Sequence, residues 1–375
     1  MTLFDVYPLY DVTPVKGRDV YIYDDTGTEY LDLYGGHAVI SIGHSHPQYV
    51  EKITSQIQKL GFYSNAVKNP LQVELANLLG KISGCYEYQL FMCNSGAEAN
   101  ENALKLASFQ TGKSHVIAFN NAFHGRTSAA VAVTDNAGIN APVNKQHEVT
   151  FLALGDLEAL EQALSKNHIC AVIIECIQGV GGLDEAHHDF YTSLAFLCKK
   201  YNTLLIADEV QSGFGRTGDF FAFQKHGITP DIISIAKGMG NGFPVGGILI
   251  HPDIEPVYGM LGTTFGGNHL ACSASIAVLE ILSREHLMEN AISMDQYFNE
   301  QIAFVPQIKR IKGRGLMLGL EFDFEVNDLR KQLIYRHHIF TGGSANRKLL
   351  RMLPPLTLQK THIDHFVNAL KTELS

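Results

Sequence analysis

The chain has 375 residues, 46% of them hydrophobic and 18% charged, with 38 acidic against 29 basic residues and a formal charge of -9. These values describe a folded protein of two or three domains with a sizeable core, and they disfavour nucleic acid or an anionic membrane as the main partner. No run of 18 apolar residues occurs and the N-terminus lacks the basic and apolar regions of a secretory signal, so a cytoplasmic protein with no membrane span is expected.

Residues 19–33 alternate apolar and polar on both sides of an Asp-Thr-Gly turn, as a β-hairpin does. Helical periods follow near 47–60 and 71–83. YQLFMC (88–93) reads as a buried strand and 96–110 as a helix. HVIAFN (115–120) is apolar, and a helical stretch at 156–165 precedes CAVIIE (170–175). A helix near 189–200 leads to TLLIAD (203–208), and DIISIA (231–236) and GGILI (246–250) close the series. Short apolar runs alternating with helices predict an α/β domain with a largely parallel sheet covered on both faces. A long helix over 268–283 follows. Residues 305–375 then hold two strand-like pieces, GLMLGLEF and KLLRMLP, and helices near 326–336 and 361–373, which reads as a small α+β domain. The N-terminal hairpin has no helix to cover it and is expected to pack with this part. The expected division is a large domain over 46–270 and a small domain from 1–45 and 271–375.

The six cysteines, at 85, 93, 170, 176, 198 and 272, have no CxxC spacing and read as reduced, mostly buried thiols. His44-Ser45-His46 and His187-His188 lie in turn-like segments without a matching ligand pair, so no metal is expected. Two pattern matches are decoys. Gly213 to Gly218 fits GxGxxG, yet no amphipathic helix starts at once after it, as a dinucleotide site requires. Gly112-Lys113-Ser114 has Ala107 where a P-loop has its leading glycine, and it stands between helix and strand in the wrong order.

The chemistry gathers at the C-terminal ends of the expected strands, where open α/β sheets place ligands. Asn94-Ser95-Gly96-Ala97 joins a strand to a helix N-terminus whose small residues leave backbone N–H groups open to a phosphate. Ser95 is equally a common N-cap. Asp208 ends an apolar strand, where a buried carboxylate needs a partner. A salt bridge or the protonated ring nitrogen of a cofactor meets that need equally well. Lys237 ends the strand 231–236 and is followed by glycine; it is either a lysine emerging into solvent or a desolvated amine able to form a Schiff base. A phosphate loop, a strand-end aspartate and a strand-end lysine together describe the needs of pyridoxal 5'-phosphate.

At these residues the chain resembles the class III pyridoxal-phosphate aminotransferases, and within them the acetylornithine or succinylornithine aminotransferase group. The matching stretches are SGAEANE (95–101), FHGRT (123–127), ADEVQSGFGRTG (207–218), IAKGMGNGFPVG (235–246) and TTFGGN (263–268). The resemblance implies a fold type I transferase with a mostly parallel seven-stranded sheet. It also implies a role for each matching residue. Lys237 holds the cofactor and moves the proton, and Asp208 pairs with the pyridine nitrogen. Gln211 bonds the ring hydroxyl oxygen, and Phe123 and Val210 pack on the two ring faces. Ser95, Gly96 and Ala97 cradle the phosphate, with Thr264 reaching it from the neighbouring subunit of a homodimer whose active site lies at the interface. Arg126 and Arg351 bind substrate carboxylates and Thr263 lines the substrate side, while His124 is left as packing. The implied reaction moves an amino group from a small-molecule donor, an N-acylornithine, to 2-oxoglutarate, as in arginine biosynthesis.

Two positions depart from the pattern. Val180, in Glu175-Cys176-Ile177-Gln178-Gly179-Val180-Gly181-Gly182, stands where related enzymes carry a glutamate that pairs with the carboxylate-binding arginine during one half-reaction. His37 replaces an apolar residue near the substrate mouth. Both changes suit a donor more anionic than acetylornithine, with N-succinylornithine the obvious candidate. Other readings stay open: an ω-amino acid aminotransferase acting on 4-aminobutyrate, ornithine or a diamine, an aminomutase, or a non-catalytic relative.

Overall fold

The computed structural model describes residues 1–375. Three short strands open the chain: β1 (Pro14–Arg18), β2 (Tyr21–Asp24) and β3 (Glu29–Asp32), paired antiparallel in that order. Asp24 fixes the β2–β3 turn by accepting from the backbone N–H groups of Thr26 and Thr28 and from the Tyr30 hydroxyl. β1 is exposed along most of its length, and its polar sequence PVKGR carries no strand signal.

The central sheet has seven strands: β4 (Gln89–Cys93), β5 (His115–Phe119), β6 (Val149–Leu152), β7 (Ile169–Ile174), β8 (Leu204–Asp208), β9 (Ile232–Ile235) and β10 (Gly246–Ile250), in the order β4-β10-β9-β8-β7-β5-β6. The pairs from β6 through to β9 are parallel, and β10 runs antiparallel to both of its neighbours. A strand reversed against both sides leaves β4 pointing the same way as β9. Cys93, Phe119, Ile174, Asp208 and Ile235 therefore all end at one edge of the sheet, and the loops that follow them converge. All six residues of β7 are buried, as expected where helices cover both faces. The edge strand β6 is half-buried, which is why its sequence, VTFL, gave no strand signal.

The helix Gly96–Thr111 crosses one face of this sheet against β7, β9 and β10. The helix His269–Arg284, eleven of whose residues are buried, packs against the helices Pro47–Lys59 and Pro70–Ser83. The next helix, Leu287–Ile302, was not anticipated from the sequence.

The C-terminal part holds β11 (Arg310–Arg314), β12 (Met317–Glu321), β13 (Ile339–Phe340) and β14 (Leu349–Met352). The strand-like piece GLMLGLEF holds one strand, β12. Its first two residues turn the β11–β12 hairpin, where Gly315 has φ +59° and a side chain would strike the Thr217 backbone. β14 pairs with β12 and places Arg351 opposite Gly319, while β13 lies parallel to β3. One cluster of 63 buried residues runs from Val20 and Leu31 through the central sheet to Phe366 and Leu370.

Candidate active site

The converging loops enclose a cavity of about 420 Å³. Its floor is Asp208. One carboxylate oxygen accepts from Asn100 Nδ2 and from His124 Nδ1, each at 2.7 Å, and the other accepts from the Val210 N–H at 3.0 Å. Asp208 and His124 are 4% and 2% exposed. The far nitrogen of that imidazole, Nε2, is buried without a partner. Glu209, next in sequence, turns the other way and accepts from Ser212 and from the backbone N–H groups of Ala222 and Phe223. Burial raises its carboxyl to about 7, and it belongs to the core, not to the cavity.

Glu175 also lines the cavity. Its two oxygens accept from the Phe123 N–H at 2.9 Å and the Gly179 N–H at 2.8 Å. Burial, and then the charge of Asp208, raise its pKa, while His124 and the two N–H groups oppose the shift.

Lys237 follows β9 with φ +46°, a left-handed setting for a non-glycine residue, at the start of the turn Lys237–Met239. That turn is held from outside. Ser41 donates to the Gly238 carbonyl, and the Asn241 side chain accepts from the Ser41 N–H and donates to the Gly43 carbonyl. The Lys237 amine makes no ion pair. Desolvation holds its pKa down to about 8, with Arg351 adding in the same direction against Asp208 and Glu175.

Ser95 caps the helix Gly96–Thr111 by accepting from the Glu98 N–H at 3.2 Å. A side chain at Gly96 would lie 2.5 Å from Val210 Cγ1, so only glycine lets these two walls meet. The open N–H groups of the first turn and the helix dipole make this wall an anion cradle. An amide cradle, a carboxylate fixed by three donors and a desolvated amine around one cavity fit pyridoxal phosphate, whose phosphate, ring nitrogen and aldehyde need those groups. The structure thus brings together Ser95, Gly96, Ala97, Phe123, Arg126, Asp208, Val210, Gln211 and Lys237 on the cavity wall, joined by Val180.

Four sequence-predicted residues stand elsewhere. Thr263 is half-buried beside the cradle, accepting from the Gly266 N–H with its hydroxyl 3.5 Å from Asn94 Nδ2, and Thr264 is exposed on the surface. Arg351, 2% exposed, lies behind Gln211. It donates through Nη1 to Gln211 Oε1 at 3.1 Å and to the Gly179 carbonyl, its Nε has no acceptor, and burial lowers its pKa. His37 sits exposed at the rim, bonded to the Tyr34 hydroxyl, and its carbonyl accepts from Gln211 Nε2 at 3.4 Å. Desolvation, with Arg351 and Lys237 nearby, pushes the imidazole down to about 4, so it is neutral at pH 7. Gly35, Gly36, His37 and Ala38 carry φ values of 55°, 55°, 68° and 65°, a left-handed turn held at its start by Asp32, which accepts from the Tyr34 and Gly35 N–H groups.

The sequence reading of His124 as packing is corrected by its bond to Asp208, a partner 84 positions away that no local pattern discloses. Asn100 was missed for the same reason. Glu175 carried a usable signal, since it ends CAVIIE as Asp208 ends TLLIAD.

The class III aminotransferase family model matches residues 6–374. The acetylornithine aminotransferase of Bacillus subtilis (strain 168) is 37% identical over 383 aligned positions, covering 100% of this chain and 98% of that protein. That of Aquifex aeolicus (strain VF5) is 38% identical, covering 98% of each. Among solved structures, the ornithine aminotransferase from Toxoplasma gondii ME49 superposes with a TM-score of 0.89 at 27% identity, covering 98% of this chain and 92% of that one.

Proposed function

Because the chain belongs to the class III aminotransferases, and so is a pyridoxal-phosphate-dependent transaminase, we propose that it moves the δ-amino group of an N-acylornithine to 2-oxoglutarate, giving the semialdehyde and glutamate, as in arginine biosynthesis. The observation that carries this reading is the meeting of Lys237, Asp208 and the Ser95–Ala97 cradle in one cavity, in a chain similar to acetylornithine aminotransferases over its whole length.

When bound, the cofactor supplies an electron sink beside the amine-bearing carbon. The chain does the rest. Lys237 Nζ would anchor the group and take up the proton of the substrate carbon, a task suited to an amine whose pKa is held near 8. Asp208, steadied by Asn100 and His124, would hold the proton of the ring nitrogen. Phe123 and Val210, on the cavity wall, would pack on the ring and Gln211 would bond its hydroxyl oxygen. Ser95, Gly96 and Ala97 would receive the phosphate through the amides of the helix N-terminus. Arg126 and Arg351 receive substrate carboxylates, with Thr263 and His37 on the substrate side.

The active unit in this reading is a homodimer, with Thr264 reaching the phosphate of the partner subunit. Thr264 is exposed on its own subunit, beside a surface that leaves Tyr258, Phe265 and Phe62 uncovered. In the same reading residues 46–270 form the large domain, and 1–45 with 271–375 form the small one. The β3–β13 pairing across the two chain ends supports that division. No helix is long and apolar enough to cross a membrane, and six free cysteines suit the cytoplasm.

The test is the absorption spectrum of the purified holoenzyme before and after an N-acylornithine is added without keto acid. The visible cofactor band should bleach, and 2-oxoglutarate should then restore it with release of glutamate. Bleaching only by 4-aminobutyrate, ornithine or a diamine would overturn the N-acylornithine assignment.

A further inference from the structure

Arg216, 2% exposed, is among the largest side chains of the interior, and it does not line the cavity. It stands in the loop that leaves β8, five residues after Gln211. No carboxylate pairs with it. Asp32, whose charge it feels, is taken by the N–H groups of Tyr34 and Gly35 and by His44 Nε2. Burial pushes the guanidinium pKa down to about 9, against the pull of Asp32, so the group is charged at pH 7. A charge without a counterion is an expensive way to fill a core, where a hydrocarbon of similar size would pack without that penalty. What Arg216 bonds supplies the reason for it.

Its guanidinium donates to carbonyls from three separate stretches of chain. Nη1 donates to Leu316 at 3.2 Å and to Pro354, and Nη2 donates to Ile40 at 3.3 Å. The backbone adds a further bond, from the Leu316 N–H to the Arg216 carbonyl at 2.8 Å. Pro354 lies three positions after Arg351, and Ile40 three after His37. Ile40 also precedes Ser41, whose hydroxyl donates at 2.8 Å to the Gly238 carbonyl, in the turn that presents Lys237. These stretches brace one another: the Leu353 N–H donates to Leu33 at 2.8 Å and the Leu356 N–H to Ser41 at 2.7 Å. Arg216 therefore ties the loop that carries Gln211 to a braced frame that carries His37 and Arg351 and touches the Lys237 turn. Five N–H donors in one rigid plane can serve three acceptors in fixed directions, which the single nitrogen of a lysine cannot do.

We propose that Arg216 is a positioning residue of the transamination: it sets the register between the Lys237 turn and the substrate-side backbone, and touches neither substrate nor cofactor. Proton transfer at Lys237 needs the substrate carbon within reach of Nζ, and a shift of about 1 Å far from the chemistry can lower the rate about a hundredfold. A substrate held at one end and reacting at the other needs the span between the two fixed by the protein. A guanidinium bonded to three backbone carbonyls fixes that span through the main chain rather than through rotatable side chains. The proposal rests on the transaminase activity alone and holds whichever amino donor the enzyme takes.

The experiment follows the bleaching of the holoenzyme's cofactor band by L-glutamate in single turnovers, which gives a limiting rate constant and a half-saturating concentration per bound cofactor. The amount of folded protein drops out of both, so a purely structural role would move the thermal midpoint and neither constant. Arg216→Lys keeps the charge and one donor nitrogen; it should lower the limiting rate about 10- to 100-fold while the resting band stays unchanged. Arg216→Met, which leaves all three carbonyls without a donor, should lose at least as much. Ser41→Ala removes one hydroxyl, keeps Arg216 and cuts the next contact toward Lys237. It should lower the limiting rate about threefold or more, the order of one neutral hydrogen bond. Combined with Arg216→Lys it should lower the rate by less than the product of the two losses, because both act through one path. Rates and half-saturations within about twofold of the unmodified enzyme in both Arg216 variants, whatever their thermal midpoints, overturn the proposal. An unchanged rate in Ser41→Ala overturns it even where an Arg216 variant fails to fold, and so does a double variant whose losses simply multiply. Bleaching of the unmodified enzyme tests the reaction itself, and the ratio of variant to unmodified enzyme tests Arg216.

Discussion

At the floor of the cavity each acid is satisfied from within the chain: Asp208 by Asn100, His124 and Val210, Glu175 by the amides of Phe123 and Gly179. Toward the substrate side a base is left over: the Nε of Arg351, buried behind Gln211, has no acceptor. The floor is preorganised, so nothing there has to rearrange when chemistry begins, and its charges are fixed before the substrate arrives. In the proposed reading the substrate side is completed by what enters. A site divided in this way keeps its reaction constant while its choice of substrate rests on a few unpaired donors.

The largest effect should come from Lys237→Ala. Removing the amine that anchors the cofactor and carries the proton should lower kcat by about a thousandfold or more, within the range of acid–base catalysis. A loss below about tenfold would show that the floor works without it. His124→Asn should cost about 10- to 100-fold in kcat, the usual range for a group that orients another, with KM for either substrate nearly unmoved. An equal loss through KM would instead tie His124 to the mouth and blur the division. The mildest effect concerns protons. In the cofactor-free protein Lys237 titrates near 8 because desolvation and Arg351 disfavour its charged form. Its neutral fraction is therefore about a tenth at pH 7, against less than a thousandth for an ordinary lysine. The rate of cofactor uptake should rise with pH, reach half its maximum near 8 and level off about one unit higher. A rise continuing toward 10 would mean that the floor does not desolvate the amine.

Much of the floor was legible in the sequence because buried parallel strands are written as short apolar runs, and a charged residue at the end of one stands out. Asp208 and Lys237 were found in this way, and Glu175 ends its strand with the same signal. His124 and Asn100 were not, since their meaning lies in a residue 84 or 108 positions away. The elements that escaped were those with weak burial, β1, β6 and the polar β11, and the helix Leu287–Ile302, whose apolar positions are spread among acids and amides. On the substrate side the sequence offered Arg351 and His37 by resemblance. Tyr34 became visible only through its approach to Gly342.

The left-handed turn at Gly35–Ala38 bears on how such a mouth persists through mutation. Glycine adopts that backbone freely, whereas each residue with a side chain costs about 1–2 kcal/mol there. His37 and Ala38 therefore stand against a standing bias, and drift toward glycine at 37 would firm the fold while erasing the imidazole. Stability and recognition pull in opposite directions at this one position, so the residue found there records which of the two has been selected.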